Sequence, residues 1–236
     1  MQRSDIMLEI CKYSVFDVHA QTLVNTVNTQ GVMGAGLALE FRLRYPDLYL
    51  DYKERCSRNE VKPGVPYLYK KENLIVLNFP TKDHWKQPSR IEWIENGLKI
   101  FIEKYRDWGV KSIAFPLLGT KNGGLDREQV LELMKNYLSN LDIVIYICLD
   151  EEIYPKSIET KMLNLLREIQ PIKISEISGV NFKKVLLIKE NLPRISRFRD
   201  ILRIKKIGIK TYEKIFVGMY TLVRKENNSL NQKTLF

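Results

Sequence analysis

Two glycine-rich segments carry the residues best suited to binding an anion. Loop 1 spans residues 24–38 (VNTVNTQGVMGAGLA) and loop 2 spans residues 115–126 (FPLLGTKNGGLD). Glycines let several backbone N–H groups approach one anion, and a helix N-terminus behind the loop adds a favourable dipole. Because each segment follows a strand-like stretch and leads into a helix-like one, the pair predicts a nucleotide-like ligand held from both sides.

The common phosphate-binding motifs do not describe these loops. The three glycines of loop 1 are spaced in the reverse order to the dinucleotide fingerprint, and no Lys-Ser/Thr pair follows Gly119 as in a Walker A sequence. Either loop alone would be an ordinary tight turn. Asn25 and Asn28 weaken that alternative, because asparagine amides at the end of a strand can bond sugar hydroxyls.

Alternating strand and helix patterns over the first 150 residues position the two loops. An apolar strand is predicted at 74–79, and a long helix follows that a capping box of Ser89 and Glu92 begins and Gly109 ends. Asp126 is expected to cap the helix after loop 2. This alternation predicts a layered α/β fold whose loops lie at the carboxyl ends of strands, where open sheets bind ligands.

The composition is that of a soluble globular protein. Apolar residues make up 44% and charged residues 28% of the 236 residues, and no long apolar run is present. We therefore expect no membrane contact and a monomer. The three scattered cysteines favour a reducing cytoplasm. With two histidines and no C-x-x-C motif, no metal site and no cofactor are expected.

The positive charge is concentrated in the last third of the chain. Residues 1–150 hold 20 Lys/Arg and 19 Asp/Glu, whereas residues 151–236 hold 18 and 9. This asymmetry indicates a second module that binds a polyanion, with a solvated basic surface as the alternative. We place the first domain at 1–152, a basic helical module at 153–224, and a disordered tail at 225–236.

Loop 1 resembles the first ligand loop of macrodomains, the fold that binds ADP-ribose, and loop 2 is similar to their diphosphate loop. The segment 78–85 (NFPTKDHW), with Ser89 and Arg90 beyond it, resembles the DNA ADP-ribosyl glycohydrolase (DarG-type) antitoxin group. The resemblance covers residues 1–150 and implies a three-layer α/β/α fold with a mixed central sheet. The implied ADP-ribose-binding residues are Asn25, Gly31, Val32, Met33, Gly34, Ala35 and Gly36 in loop 1, and Leu118, Gly119, Thr120, Lys121, Asn122, Gly123, Gly124 and Leu125 in loop 2.

The resemblance implies that Lys82 is the catalytic residue. We expect Asn28 to take part in catalysis by orienting the distal ribose, and His84 and Trp85 to bind the base, because aromatic faces stack on any base. A neutral amine can attack the anomeric carbon and form a Schiff-base-like intermediate that water resolves. Desolvation of the amine by apolar neighbours would lower its pKa. The alternative is a surface lysine whose stem packs on Trp85.

This chain departs from related macrodomains at two places. A related eukaryotic group pairs the lysine with an aspartate in the second loop, where Gly123 stands here, as in the DNA-directed group. Many macrodomains recognise adenine through a Gly-Asp pair after the first strand, and Tyr13-Ser14 occupies that place. We expect backbone and apolar contacts to hold the adenine instead.

The basic module is similar to a pair of helix-hairpin-helix motifs, as in ComEA-type DNA-binding domains. The halves are residues 174–185 (ISEISGVNFKKV) and, about 27 residues later, 201–215 (ILRIKKIGIKTYEKI). Hairpin N–H groups and neighbouring lysines would contact DNA phosphates, with a protein-binding helical module as the alternative. The expected DNA-binding residues are Gly179, Lys183, Lys184, Lys206, Gly208 and Lys210.

Together these features predict an enzyme that removes ADP-ribose from DNA bases, with thymidine as the expected target. It would act as the antitoxin or repair partner of a DNA ADP-ribosyltransferase toxin. The expected partners are ADP-ribosylated DNA, ADP-ribose and that toxin. Two alternatives stay open: a non-catalytic ADP-ribose reader tethered to DNA, and a hydrolase of protein-linked ADP-ribose.

Overall fold

The computed structural model describes residues 7–233. The chain forms two compact units, Met1–Glu151 (unit 1) and Glu152–Phe236 (unit 2). Sequence analysis placed the domain boundary after residue 152. No helix in the described range has both the length and the apolar character needed to cross a bilayer.

A six-stranded sheet in the order β1-β6-β5-β2-β4-β3 forms the centre of unit 1. Neighbouring strands are parallel except at one edge, where β3 and β4 pair antiparallel, so the sheet is mixed as predicted. The strands are β1 (Leu8–Cys11), β2 (Thr22–Val27), β3 (Tyr67–Lys71), β4 (Leu74–Pro80), β5 (Ser112–Pro116) and β6 (Val144–Cys148).

Helices cover both faces of this sheet. Successive strand residues point to opposite faces, so that Val76 of β4 packs in a cluster with Phe41 and Leu48, while Leu77 packs in another with Leu98. The first cluster lies under α1 and α2 and the second under α3 and α4, which confirms the three-layer α/β/α prediction. The helices are α1 (Gly36–Arg44), α2 (Pro46–Ser57), α3 (Ile91–Lys104) and α4 (Arg127–Leu138).

The helices α4, after loop 2, and α3, after the segment 78–85, begin in different ways. Asp126 caps α4 as predicted, because its carboxylate accepts a hydrogen bond from Gln129 N at 2.8 Å. The capping box of Ser89 and Glu92 is wrong: α3 begins at Ile91 without a side-chain cap. The Ser89 backbone N–H instead donates to Gly123 O at 2.9 Å, which ties the start of α3 to loop 2.

Within the described residues, the regular secondary structure of unit 2 is helical. A buried ion pair joins its first helix to a later turn, since Arg197 Nη2 lies 2.9 Å from Glu159 Oε2 and both side chains are under a tenth exposed. The structure differs from the predicted disordered tail, because the last helix continues to Lys233; residues 234–236 lie outside the described range. The helices are α5 (Ser157–Glu168), α6 (Pro171–Ser178), α7 (Phe182–Asn191), two 3-10 turns (Leu192–Arg194 and Phe198–Arg203) and α8 (Ile209–Lys233).

Candidate active site and nucleic-acid interface

The segment carrying Lys82 follows β4 directly and is fixed to loop 1. Thr81 N donates to Val27 O at 3.0 Å, so the first residue after β4 still follows the neighbouring strand β2. Thr29 of loop 1 donates to Asp83 twice, from N to the carbonyl at 3.0 Å and from Oγ1 to Oδ1 at 2.6 Å. Lys82 is therefore held on both sides by residues bonded to loop 1.

Loop 2 closes the site from the other direction. Lys82 Nζ donates to Asn122 O, and it lies 3.3 Å from Trp85 O. Gly36 of loop 1 has a φ of 56°, which favours glycine, and a Cβ there would lie 2.7 Å from Asn122 Nδ2, so the two loops approach closely at this point. Both loops and the Lys82 segment thus converge on one amine.

The environment of this amine lowers the pKa of Lys82. Desolvation by burial is the cause, because a low-dielectric surrounding disfavours the ammonium form. Within residues 7–233, no carboxylate contributes to the shift by stabilising the charged form. The side chain is half-buried, so solvent and a ligand still reach it. A lysine in this state can lose its proton and act as a nucleophile.

Asn28 organises the interior of loop 1. Its Nδ2 donates to Val32 O at 2.6 Å, while its Oδ1 accepts from Gln30 N at 2.9 Å and from the Tyr52 hydroxyl at 3.1 Å. The residue is 7% exposed. The amide oxygen is thus fully used inside the loop, and the second Nδ2 hydrogen is the group left to reach a sugar. This arrangement favours a positioning role for Asn28.

Gly123 marks the tightest point of loop 2. A Cβ there would overlap both Gly119 O and Ser89 Oγ, so no side chain fits without moving the loop. The aspartate that related eukaryotic macrodomains carry at this place is therefore sterically excluded here. The site offers a lysine without a partner acid from this position.

Several residues of the expected ADP-ribose-binding set are buried rather than exposed. Asn25 is completely buried on β2, where its Nδ2 donates to Asn78 Oδ1 of β4 at 2.9 Å. Lys121 lies at the surface, but its Nζ pairs with Asp150 Oδ2 at 2.5 Å. Three more residues are buried among core side chains or against α2: Gly31, Met33 and Leu118. Gly119, Thr120 and Gly123 are buried as well, and the members left accessible are Val32, Gly34, Ala35, Gly36, Lys121, Asn122, Gly124 and Leu125.

An aromatic platform lies next to Lys82. The Trp85 ring is 47% exposed and stacks against His84, with ring centroids 5.7 Å apart and planes at 22°. Exposed aromatic faces bind bases of any sequence by stacking. The two residues expected to contact a base are thus together and accessible.

Comparison with known proteins identifies the fold. The sequence profile of the Macro domain family matches residues 24–134. The solved macrodomain of Thermus aquaticus DarG is 37% identical, with a TM-score of 0.57, and the match covers 60% of this chain and 97% of that one. The chain belongs to the macrodomain family.

Longer relatives share this macrodomain. A curated DNA ADP-ribosyl glycohydrolase of Thermus aquaticus is 40% identical over 140 residues, which are 58% of this chain and 39% of the relative. A transferase-glycohydrolase fusion protein of Thermosipho africanus is 37% identical over 177 residues, 66% of this chain and 46% of the fusion. The solved Thermosipho africanus DarTG in complex with ADP-ribose matches 61% of this chain and 42% of its own at 40% identity and a TM-score of 0.57. The chain spans less than half the length of these relatives.

Beyond the macrodomain, unit 2 contains a 27-residue structural repeat. Gly179 and Lys206 both adopt left-handed backbone, with φ of 62° and 73°, and α7 and α8 begin three residues after each. Phe182 and Ile209 open these helices and are 41% and 40% exposed. The repeated positions also share burial: Ile174 with Ile201, Val180 with Ile207, Val185 with Tyr212, and Ile188 with Ile215.

The six residues expected to bind DNA lie in or just beyond the two hairpins of this repeat. A Cβ at Gly179 or Gly208 would meet nothing within 4 Å, so the backbone of both hairpins is open to a ligand. Lys184 Nζ donates to Thr211 Oγ1 at 3.2 Å and so links the starts of α7 and α8. The other lysines of the set are exposed: Lys183, Lys206 and Lys210.

Proposed function

We propose that this macrodomain is a lysine-dependent glycohydrolase that removes ADP-ribose from a modified base in DNA, with thymidine as the base. The observation that carries the proposal is the half-buried Lys82 amine, whose pKa is lowered by desolvation where two glycine loops meet. Two relatives support the substrate, ADP-ribose on DNA: one is a DNA ADP-ribosyl glycohydrolase, and the other is solved in complex with ADP-ribose.

In the proposed reaction, neutral Lys82 Nζ bonds to the anomeric carbon while the N-glycosidic bond to the base breaks. The base leaves with the bonding electron pair and takes up a proton, and the amine loses one. The ribose ring opens to an iminium on Lys82, and water adds to the same carbon. Collapse returns the free amine and releases ADP-ribose.

The other site residues support this step. The accessible backbone of Gly34, Ala35 and Gly36, together with Asn122, would receive the diphosphate through N–H groups. Asn28 would hold loop 1 in the shape that fits the distal ribose. The stacked Trp85 and His84 would bind the base before it leaves.

We further propose that unit 2 is a helix-hairpin-helix module that binds the DNA backbone. The open hairpin backbones and exposed lysines support this role, and backbone contacts of this kind are salt-sensitive and tolerant of sequence. We expect a monomer in the cytoplasm that acts as antitoxin or repair partner of a DNA ADP-ribosyltransferase, because a relative joins both activities in one chain.

The test is release of ADP-ribose from an oligonucleotide ADP-ribosylated on thymidine, measured for wild type, Lys82→Ala and Lys82→Arg. The wild type should turn over, and both variants should lose about a thousandfold or more in kcat while they still bind free ADP-ribose. Arginine is the matched control, since it keeps the charge but cannot deprotonate. A wild type that binds ADP-ribose without releasing it would instead be a reader.

For unit 2, the double variant Lys183→Gln/Lys210→Gln is compared with Lys173→Gln/Lys225→Gln, which removes equal charge away from the hairpins. The hairpin variant should bind unmodified DNA more weakly and with a smaller dependence on salt. Equal losses in the two variants would mean that only the overall charge of unit 2 matters.

A further inference from the structure

Two cation-aromatic pairs lie beside the proposed catalytic lysine. Lys86 Nζ is 5.0 Å from the centroid of the Trp85 ring, and the guanidinium carbon of Arg90 is 5.0 Å from the centroid of the Trp93 ring. A ring face in this position holds a flexible cation in one place. In the part of the chain that the structure describes, neither cation has a carboxylate as ion-pair partner.

Hydrogen bonds of Lys82 and of loop 2 connect the two pairs to the reacting amine. Lys82 Nζ donates to the carbonyls of Trp85 and Asn122, and the next residue of loop 2, Gly123, accepts from Ser89 N at 2.9 Å. The second pair begins one residue after Ser89. The first pair is thus bonded to Lys82 through the Trp85 carbonyl, and the second follows the residue that is bonded to Gly123 of loop 2.

A third segment completes this surface. Gly64 N donates to Pro80 O at 2.8 Å, and a Cβ on Gly64 would lie 2.9 Å from Trp93 O, which places residues 62–66 against the start of α3. Val65 in this segment is 41% exposed. We call residues 62–66 and 82–93 the rim.

The rim is basic within a unit whose charges are otherwise balanced. Apart from the reacting Lys82, its 17 residues contain three Lys/Arg and two Asp/Glu, whereas residues 1–150 hold 20 and 19. One of the two carboxylates, Asp83, accepts from Thr29 Oγ1 at 2.6 Å, and the other is Glu92 in the first turn of α3. Interleaved cations and aromatic rings are the pattern that binds a polynucleotide strand.

We propose that the rim binds the DNA strand on either side of the modified nucleotide, with Arg90 and Lys86 on the flanking phosphates. This inference rests on the proposed function. It means that the macrodomain itself binds the DNA strand as well as the ADP-ribose group. Trp93 and Trp85 act as positioning residues, because each holds its cation over a ring face. The accessible glycines of the two loops remain available for the diphosphate.

The test compares two substrates that differ only in flanking nucleotides: ADP-ribosyl-thymidine and the same group within a short oligonucleotide. Full-length Arg90→Gln is measured beside Lys104→Gln, an equal charge change at the other end of α3. Arg90→Gln should lower kcat/KM about tenfold for the oligonucleotide and leave the nucleoside unchanged. It should also reduce the salt slope for the oligonucleotide by about 0.7, the value of one phosphate contact on a single strand.

Equal losses on both substrates, or a loss matched by Lys104→Gln, would overturn the proposal. Equilibrium displacement of labelled ADP-ribose by each substrate gives the same comparison without turnover. The wild type could fail to release ADP-ribose and still bind the oligonucleotide more tightly than the nucleoside, with the difference lost in Arg90→Gln. That result would disprove the proposed glycohydrolase activity and support DNA binding by the rim. If the two substrates displace labelled ADP-ribose from the wild type equally well, the rim does not bind DNA, whether or not the enzyme is active.

Discussion

The most sharply defined steric constraint in the site is Gly123, and its replacement gives a quantitative prediction. In Gly123→Ala the new methyl group would overlap Gly119 O and Ser89 Oγ. Forcing a methyl group into such a space costs roughly 1–3 kcal/mol. Moving the loop to relieve it breaks the hydrogen bond from Ser89 N to Gly123 O, worth about 1 kcal/mol. We therefore expect unit 1 to lose about 3 kcal/mol of unfolding free energy.

The neighbouring glycine is the matched control. Gly124 has a φ of 74°, and a Cβ there would meet nothing within 4 Å. Gly124→Ala therefore pays only the left-handed backbone strain, about 1–2 kcal/mol. The two adjacent substitutions add the same atoms but test overlap and strain separately.

Urea unfolding followed by tryptophan fluorescence measures this difference in unit 1 alone, because all three tryptophans, Trp85, Trp93 and Trp108, belong to it. Gly123→Ala should lower the midpoint more than Gly124→Ala at an unchanged m-value. Gly123→Ala should also weaken ADP-ribose binding. An unfolding loss at Gly123 equal to or smaller than that at Gly124 would refute the crowding inferred here.

Three further predictions concern charge and backbone strain. The kcat/KM should fall on acidification as Lys82 gains a proton, and because its pKa is lowered this fall should lie at a lower pH than for an exposed lysine; a pH-rate profile measures it. Lys206 and Gly179 both have positive φ, which favours glycine. Lys206→Gly should therefore stabilise unit 2 by about 0.5–1 kcal/mol, and Gly179→Ala should destabilise it by about 1 kcal/mol. Urea unfolding followed by far-UV circular dichroism measures both changes. Glu159→Gln should cost unit 2 about 3–5 kcal/mol by removing the carboxylate that pairs with the buried Arg197, while the tryptophan transition of unit 1 stays unchanged.

Local sequence patterns predicted the architecture of unit 1 well. The apolar run 74–79 predicted β4, and the glycine and proline residues around it predicted the turns. Both features depend on residues that are neighbours in the chain. The Asp126 cap was predicted for the same reason: its partner, Gln129, is three residues away.

The failures involve partners that are distant in sequence. Ser89 and Glu92 match a capping box, but loop 2 supplies a carbonyl for Ser89 N, and no local pattern contains that information. The hydrogen bond between Asn25 and Asn78 likewise depends on the register of two strands that are far apart in the chain.

The site was predictable in its parts but not in its contacts. Both loops and Lys82 were identifiable from glycine positions and the family resemblance. The approach of Gly36 to Asn122, and the rim formed with Arg90 and Trp93, depend on how separate segments pack, so that they emerge only in three dimensions.

Borohydride trapping of the iminium tests whether Lys82 bonds to the anomeric carbon. The wild type would be mixed with the ADP-ribosylated oligonucleotide and reductant, and intact-mass and peptide analysis would locate any adduct. We expect a stable ADP-ribose adduct on Lys82 that Lys82→Arg lacks. Turnover by the wild type with no adduct, or with an adduct on another residue, would contradict it.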